Sequence, residues 1–440
     1  MCAVGGRKWL CLLTLILGIA ESIYPDSHVP TTLSKLAFGS CSKVDRAQKL
    51  WPAVKAFKPQ SWLWVGDAVY YNKSGLVTER HVPKGVREML TMQHRREDYR
   101  AATEGAVIEG VYDDHDYGEN DAGKHFRDRA ASQEDFLNFL GVPQNSTRRA
   151  PHREGLYSSH TWGEPPRQAR IIVLDTRYFR DDYFLPSIGG TSIPFAALLA
   201  AAGRMLTSVL GFTATHQADM LGERQWAWLE EDLRRSESAV HVIVSSVQVM
   251  STMPYVESWG HFPKAKQRLF RLLAATQTPG VVFLSGDVHF AELSGLPGHS
   301  VVELTSSGMT HTCTTVWYAF ACRWLLANHH AHRPRRNATA TSVNFGTVEI
   351  AWPAEEGRPH VKVAARGIDG EPLLEHDGES SSGQDLEQLL EMPSFGVAID
   401  VASLWATRFT IDRSGVFTLA GAVVAAAATA AAVTLTPRSA

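Results

Sequence analysis

The sequence predicts an α/β fold, a sheet of buried strands interleaved with helices. Three features carry that expectation. Short apolar runs recur along the chain, amphipathic helical patterns fall between several of them, and polar residues gather where the runs end. LAF (36–38) ends at Gly39-Ser40-Cys41, WLWV (62–65) at Gly66-Asp67, and AVIEGVY (106–112) at Asp113-Asp114-His115-Asp116. ARIIVL (169–174) ends at Asp175, VHVIVSSV (240–247) at Gln248, and VVFL (281–284) at Gly286-Asp287, with His289 just beyond. LGERQWAWLEEDLRR (221–235) places Leu221, Gln225, Trp226, Leu229 and Leu233 near one helical face, and FPKAKQRLFRLLAA (262–275) follows the same period. Strands alternating with helices predict a mostly parallel, buried sheet. VVELTS (301–306), FGTVEIAW (345–352) and HVKVAARG (360–367) follow with turns between them and predict a second, antiparallel portion packed on the first.

The chain's 440 residues, 44% hydrophobic, suffice for one large domain or two ordinary ones, and a net charge of −3 gives no reason to expect nucleic-acid binding. At the N-terminus, Arg7 and Lys8 precede WLCLLTLILGIA and a small-residue site at Gly18-Ile19-Ala20, so residues 1–20 read as a secretory signal peptide. Sequons at Asn72, Asn145 and Asn337 fit that route. At the other end, residues 377–415 read as a polar linker with a short helix, and residues 416–435 as an uncharged, Ala-rich transmembrane helix. With the leader setting orientation, the expectation is a type I membrane protein whose main domain is extracellular or lumenal. Residues 183–215 form an apolar insertion, expected as extra core or a lid, with a membrane-associated loop as the alternative.

Once the leader is removed, Cys41, Cys313 and Cys322 remain. Cys313 and Cys322 are close enough to close a small disulfide loop, which leaves Cys41 as a buried hydrophobe, a reactive thiol or a metal-held thiolate. Polar strand ends favour the last. Carboxylates, a phenol, a thiolate and an imidazole are ligands for hard or borderline cations, and thiolate with phenolate favours iron. So many acids without a cation would raise one another's pKa, whereas a two- or three-metal site neutralises them and activates water. Tyr70, three residues after Asp67, can reach the same ion if the chain turns there. His216, His241, His261 and His311 are left as surface or core residues, and the His329-His330-Ala331-His332 run with its arginines as a solvated loop.

Gly39-Ser40-Cys41, Gly66-Asp67-Ala68-Val69-Tyr70-Tyr71, Asp113-Asp114-His115-Asp116 with Asn120, and Gly286-Asp287-Val288-His289 together resemble the motif series of PhoD-like alkaline phosphatases, within the wider metallophosphoesterases. The likeness runs through LDTRYFRDD (174–182), LGERQWAWLE (221–230), SSVQVM (245–250), ESWGHFP (257–263) and NFGTVEIAW (344–352), and covers residues 33–376. It implies a four-layer αββα sandwich with mixed sheets and metals at the carboxyl edge of both. It also implies ferric iron on Cys41, Asp67, Tyr70 and Asp287, with Asp67 bridging and calcium completing the site. Asn120 and His289 fall on the calcium side or just behind it, and Asp114 where relatives often carry a metal-binding Asn. His115, oriented by Asp116 or Asp114, is the candidate acid for the leaving group. Arg177 is a candidate to hold a phosphate oxygen, or else pairs with Asp181 or Asp182. The implied reaction is hydrolysis of phosphate monoesters or diesters by a metal-bridging oxide or hydroxide. The alternatives are a non-catalytic ectodomain on a phosphatase scaffold and a Cys41–His289 thiol hydrolase, which leaves the carboxylates unexplained.

Overall fold

The computed structural model describes residues 27–71, 85–315, 319–329, 331–355 and 357–392. The expected leader, the Asn72 sequon and the 416–435 span lie outside them. Among the described residues no helix is long and apolar enough to cross a membrane.

The strands are β1 (Ser27–Val29), β2 (Lys35–Gly39), β3 (Ser61–Val65), β4 (Val107–Val111), β5 (Ser158–Trp162), β6 (Ala169–Val173) and β7 (Val240–Val244). They continue as β8 (Val281–Ser285), β9 (Ala291–Gly295), β10 (Val302–Ser306), β11 (Thr339–Ala340), β12 (Phe345–Ala351), β13 (His360–Arg366) and β14 (Pro372–Glu379). The helices are α1 (Trp51–Phe57), α2 (Val86–Arg95), α3 (Glu97–Ala102), α4 (Asp114–Tyr117), α5 (Arg129–Phe139), α6 (Ala196–Val209), α7 (Gly222–Arg234), α8 (Pro263–Ala275) and α9 (Ala319–Asn328).

Two mixed sheets form, with orders β1-β5-β6-β7-β8-β10-β9-β11 and β14-β13-β12-β2-β3-β4. The late strands therefore do not build a separate antiparallel portion. β12 pairs antiparallel with β2, so β12, β13 and β14 complete the sheet of β2, β3 and β4. Alternation along the strands makes the layers. On β7 and β8, Val242, Val244, Val282 and Leu284 enter the core shared by both sheets, while Ile243 and Phe283 face Leu229, Trp226, Leu269 and Phe270 of α7 and α8. In the other sheet Trp62 and Trp64 of β3 stack on Trp51 of α1, with ring centroids 4.9 and 6.0 Å apart. Each sheet is thus buried on both faces, which yields the helix–sheet–sheet–helix sandwich.

Two expectations need correction. The presumed linker belongs to the fold as far as Met392: β14 reaches Glu379, and a 3₁₀ turn at Gly383–Glu391 buries Leu386 and Leu389 against the α8 side of the core. The 183–215 insertion is not extra core. It contains α6, and much of its apolar surface is exposed. Cys313 and Cys322 are disulfide-bonded, and Cys41 is free and buried.

Candidate metal centre

β2, β3, β4, β8 and β10 are parallel within their sheets, so within each sheet their polar ends emerge along one edge. Gly66, at φ +91°, leaves no room for a side chain: a Cβ there would lie 2.5 Å from Asp113 Cβ and 3.1 Å from Ser246 Cβ. That close approach presses three strand ends from both sheets together. Four of the expected ligands adopt left-handed backbone, Cys41 at φ 60°, Asp67 at 50°, Asp287 at 70° and His289 at 61°. Such residues cost about 1–3 kcal/mol each and persist only where the surroundings over-determine them, here buried strands on either side. The turns aim side chains at a common point.

Cys41 Sγ lies 3.7 Å from Asp67 Oδ2 and 3.0 Å from Ser307 Oγ. The Tyr70 ring is 4.2 Å from that of His115 and 6.3 Å from that of His289. Ligand atoms of Asp67, Asp114 and His115 lie within 4.8 Å of one another, as do those of Asp113, Glu257 and Asp287, and those of Asp114, Asp121 and Glu257. Shared members chain these groups into one acidic cluster. Burial, then neighbouring Cys41 and carboxylates, pushes the Asp67 carboxyl well above its usual range. Burial and Asp113 do the same to Asp287, and burial raises the Cys41 thiol. A cation bound among these groups would lower each of these values. Five buried atoms around the cluster lack any hydrogen-bond partner: Tyr70 Oη, Asp113 Oδ2, Asp114 Oδ1, His115 Nδ1 and His289 Nδ1. Unpaired buried polar atoms are rare and costly, and five together suit bound metal.

The sequence profile of PhoD-like phosphatases matches residues 36–352, a span that includes the whole cluster. The chain belongs to the PhoD-like phosphatase family. Alkaline phosphatase D of Bacillus subtilis is 24% identical over an alignment of 269 residues that covers 55% of this chain and 42% of that protein. The match therefore spans less than half of that curated relative. The solved structure of PhoD aligns with a TM-score of 0.54 at 17% identity, covering 82% of this chain and 70% of that one, a likeness of fold.

In this PhoD-like chain three of the expected site residues have other surroundings. Asp116 does not orient His115. Its two oxygens accept the backbone N–H groups of Asp113 (2.6 Å) and Ala68 (2.8 Å), which ties α4 to the turn after β3. Asp114 is the carboxylate beside His115, with Oδ1 4.0 Å from Nε2. Arg177 is fully buried and pairs with neither Asp181 nor Asp182. Its Nε donates to Asp113 (2.6 Å) and its Nη2 to Glu257 (2.5 Å), so the guanidinium is spent on holding the acidic cluster together. Asn120 sits one position from the cluster. It lines a cavity of about 320 Å³ with Asp121, Arg180, Tyr183 and Ser187, while the Asp121 N–H donates to Asp114 Oδ2 at 2.8 Å.

Other residues were missed. Glu257 lies in the ESWGHFP stretch, but nothing local marks it as part of an acidic centre. Burial would raise its carboxyl, yet Arg177, Arg180 and Arg204 pull it below the usual range. His311, left as a surface or core histidine, has its ring 4.7 Å from that of His289 and 5.1 Å from that of Tyr70. The strand end Ser306-Ser307 before it was the available signal. His241 and His261 are buried, as allowed for. The basic loop is not solvated throughout: His332 and Arg333 are buried against Glu292. Asp175 accepts N–H groups from Leu156, Arg177 and Tyr178 and is a structural turn.

Proposed function

We propose that this chain hydrolyses phosphate esters, monoesters or diesters, with metal ions held by Cys41, Asp67, Tyr70, Asp114, Asp287 and His289, assisted by Asp113 and Glu257. The observation that carries the proposal is the convergence of unpaired buried atoms on an acidic cluster in which the Asp67 and Asp287 carboxyls are raised. A thiolate beside a phenol suits ferric iron, and the carboxylate-rich side with Asn120 nearby suits calcium. When bound, such ions polarise a phosphoryl oxygen and lower the pKa of water enough to supply a nucleophile near neutral pH.

The chain's own residues supply position and protons. His115, its side chain 16% exposed, is the group that protonates the departing oxygen. Asp114, 4.0 Å from its Nε2, supports a proton there. Arg177 and Asp116 fix the carboxylates from behind. In this reading the 1–20 leader and the 416–435 anchor place the domain, 33–376 extended to Met392, on the extracellular or lumenal side. The Cys313–Cys322 bond suits that oxidising side, and the sequon residues Asn145 and Asn337 are exposed there.

Elemental analysis of the purified protein, beside hydrolysis of p-nitrophenyl phosphate and bis(p-nitrophenyl) phosphate, tests the proposal. Bound iron and calcium, with iron lost and turnover abolished in Cys41→Ala, is the expected result. Metal-loaded protein that turns over neither ester would return the chain to the scaffold reading, and metal-free protein would sink the site.

A further inference from the structure

The segment between β6 and α7 wears its apolar side outward. Phe195, Leu198, Leu206, Val209, Leu210 and Phe212 are 46–64% exposed. The inward side of α6 is Ala196, Ala200, Arg204, Thr207 and Ser208, all buried. A helix on the surface of a soluble domain does the reverse. Between residues 184 and 215 the only charged side chain is Arg204, and it is turned inward to Asp121 Oδ2 at 2.9 Å. The exposed face of this stretch therefore carries large hydrocarbon groups and no formal charge.

We infer that this face seats on a lipid bilayer, with α6 lying in the interfacial plane and Leu198, Leu206 and Val209 among the acyl chains. A patch this apolar marks a docking surface, and the absence of charge chooses the occupant. Protein interfaces mix aromatic and arginine anchors with a polar rim, whereas an interfacial helix needs an uncharged apolar face with polar groups at its margin. The margin here is mixed in sign. Arg127, Asp128, Asp182 and Ser187 line the cavity at one foot of the insertion, and exposed Lys264 donates to Gln217 at the other. Such a balance suits zwitterionic headgroups. Residues 393–415 separate the described fold from the apolar 416–435 stretch, a tether of at most about 80 Å. That reach lets the domain lie flat on the membrane in which the stretch is read as anchored, and only this proximity rests on that reading. The docking face is also joined to the metal edge. Ser187 Oγ and Arg204 both donate to Asp121 Oδ2, and the Asp121 N–H donates to Asp114 Oδ2.

The test uses the full chain, labelled with an environment-sensitive fluorophore at Leu206→Cys or, as control, at Ala56→Cys on α1, where the exposed side lies outside the other sheet. Cys41 is buried, Cys313–Cys322 is bonded, and Cys2 and Cys11 are replaced by Ser, so labelling is selective. In phosphatidylcholine vesicles carrying nitroxide lipids, we expect quenching several-fold stronger at position 206 than at 56. The double substitution Phe195→Asp with Val209→Asp should bring position 206 down to the control level without altering hydrolysis of a water-soluble ester. Equal quenching at 206 and 56 would overturn the inference. So would efficient cross-linking of Leu206→Cys to Ala425→Cys, which would name the tail as occupant, or to position 206 of a second chain. The quenching and cross-linking readouts do not depend on catalysis, so the docking face and the phosphoesterase site fail separately.

Discussion

At the scale of single residues, His115 and Arg177 separate chemistry from support. His115 meets the cluster through an imidazole whose pKa burial lowers and Asp114 raises. His115→Asn should cut kcat about 10²–10³-fold for esters with alkoxide leaving groups. p-Nitrophenyl esters, whose leaving group needs no proton, should be nearly spared, and metal content unchanged. Equal losses on both ester types would remove the proton-donor role. Arg177→Met strands Asp113 and Glu257 in a fully buried setting, which costs about 3–5 kcal/mol and should appear as a large drop in Tm. A variant with wild-type Tm but weakened phosphate binding would instead make Arg177 a substrate contact. The ligand types were legible in the sequence because they follow buried strands by two to five residues. Glu257 was not, since its value lies in partners distant in the chain, Asp113, Arg177 and Asp287.

At the scale of elements, β7 carries a buried pH sensor apart from the metal site. His241 hydrogen-bonds Pro279 O through Nδ1 and Ser236 Oγ through Nε2, both at 2.7 Å, and burial lowers its pKa to about 4. The unfolded histidine takes up a proton from about pH 6.5, so between there and about 4 the unfolded state binds more protons. Stability present above pH 6.5 is therefore lost as pH falls through that window, by roughly 2–3 kcal/mol. His241→Gln should flatten the fall in the urea midpoint between pH 7 and 4.5. An unchanged slope would show that the imidazole is protonated inside the fold. The strands from β2 to β13 with strong apolar runs were legible from period and composition. β5 and β9, SSHTW and AELSG, were not. Their polar side chains are buried and paired with residues distant in the chain, His160 with Glu109 and Glu292 with Arg333.

Over the whole molecule, metal and pH are coupled. Without a cation, Asp67 and Asp287 keep their protons well above the usual range, so the stripped protein holds protons that its unfolded chain releases. The contribution of these two carboxyls to its stability is full below about pH 4 and declines as pH rises through the raised values. Cation binding removes that decline. The Tm gap between loaded and chelator-stripped protein should widen from pH 5 to pH 8 by several degrees. A constant gap would place the metal elsewhere.

By itself the sequence determined the strongly apolar strands, helices α7 and α8, the family and the residue types at the strand ends, because periodicity and strand-end chemistry are local and survive in one dimension. Only the tertiary structure decided that β12–β14 complete the sheet of β2, β3 and β4, that Arg177 clamps Asp113 and Glu257, that His311 stands beside His289, and that α6 faces outward. Each of these depends on which distant segments meet or stay apart. Burial and charge pairing act between neighbours in space, and the linear order of residues does not record them.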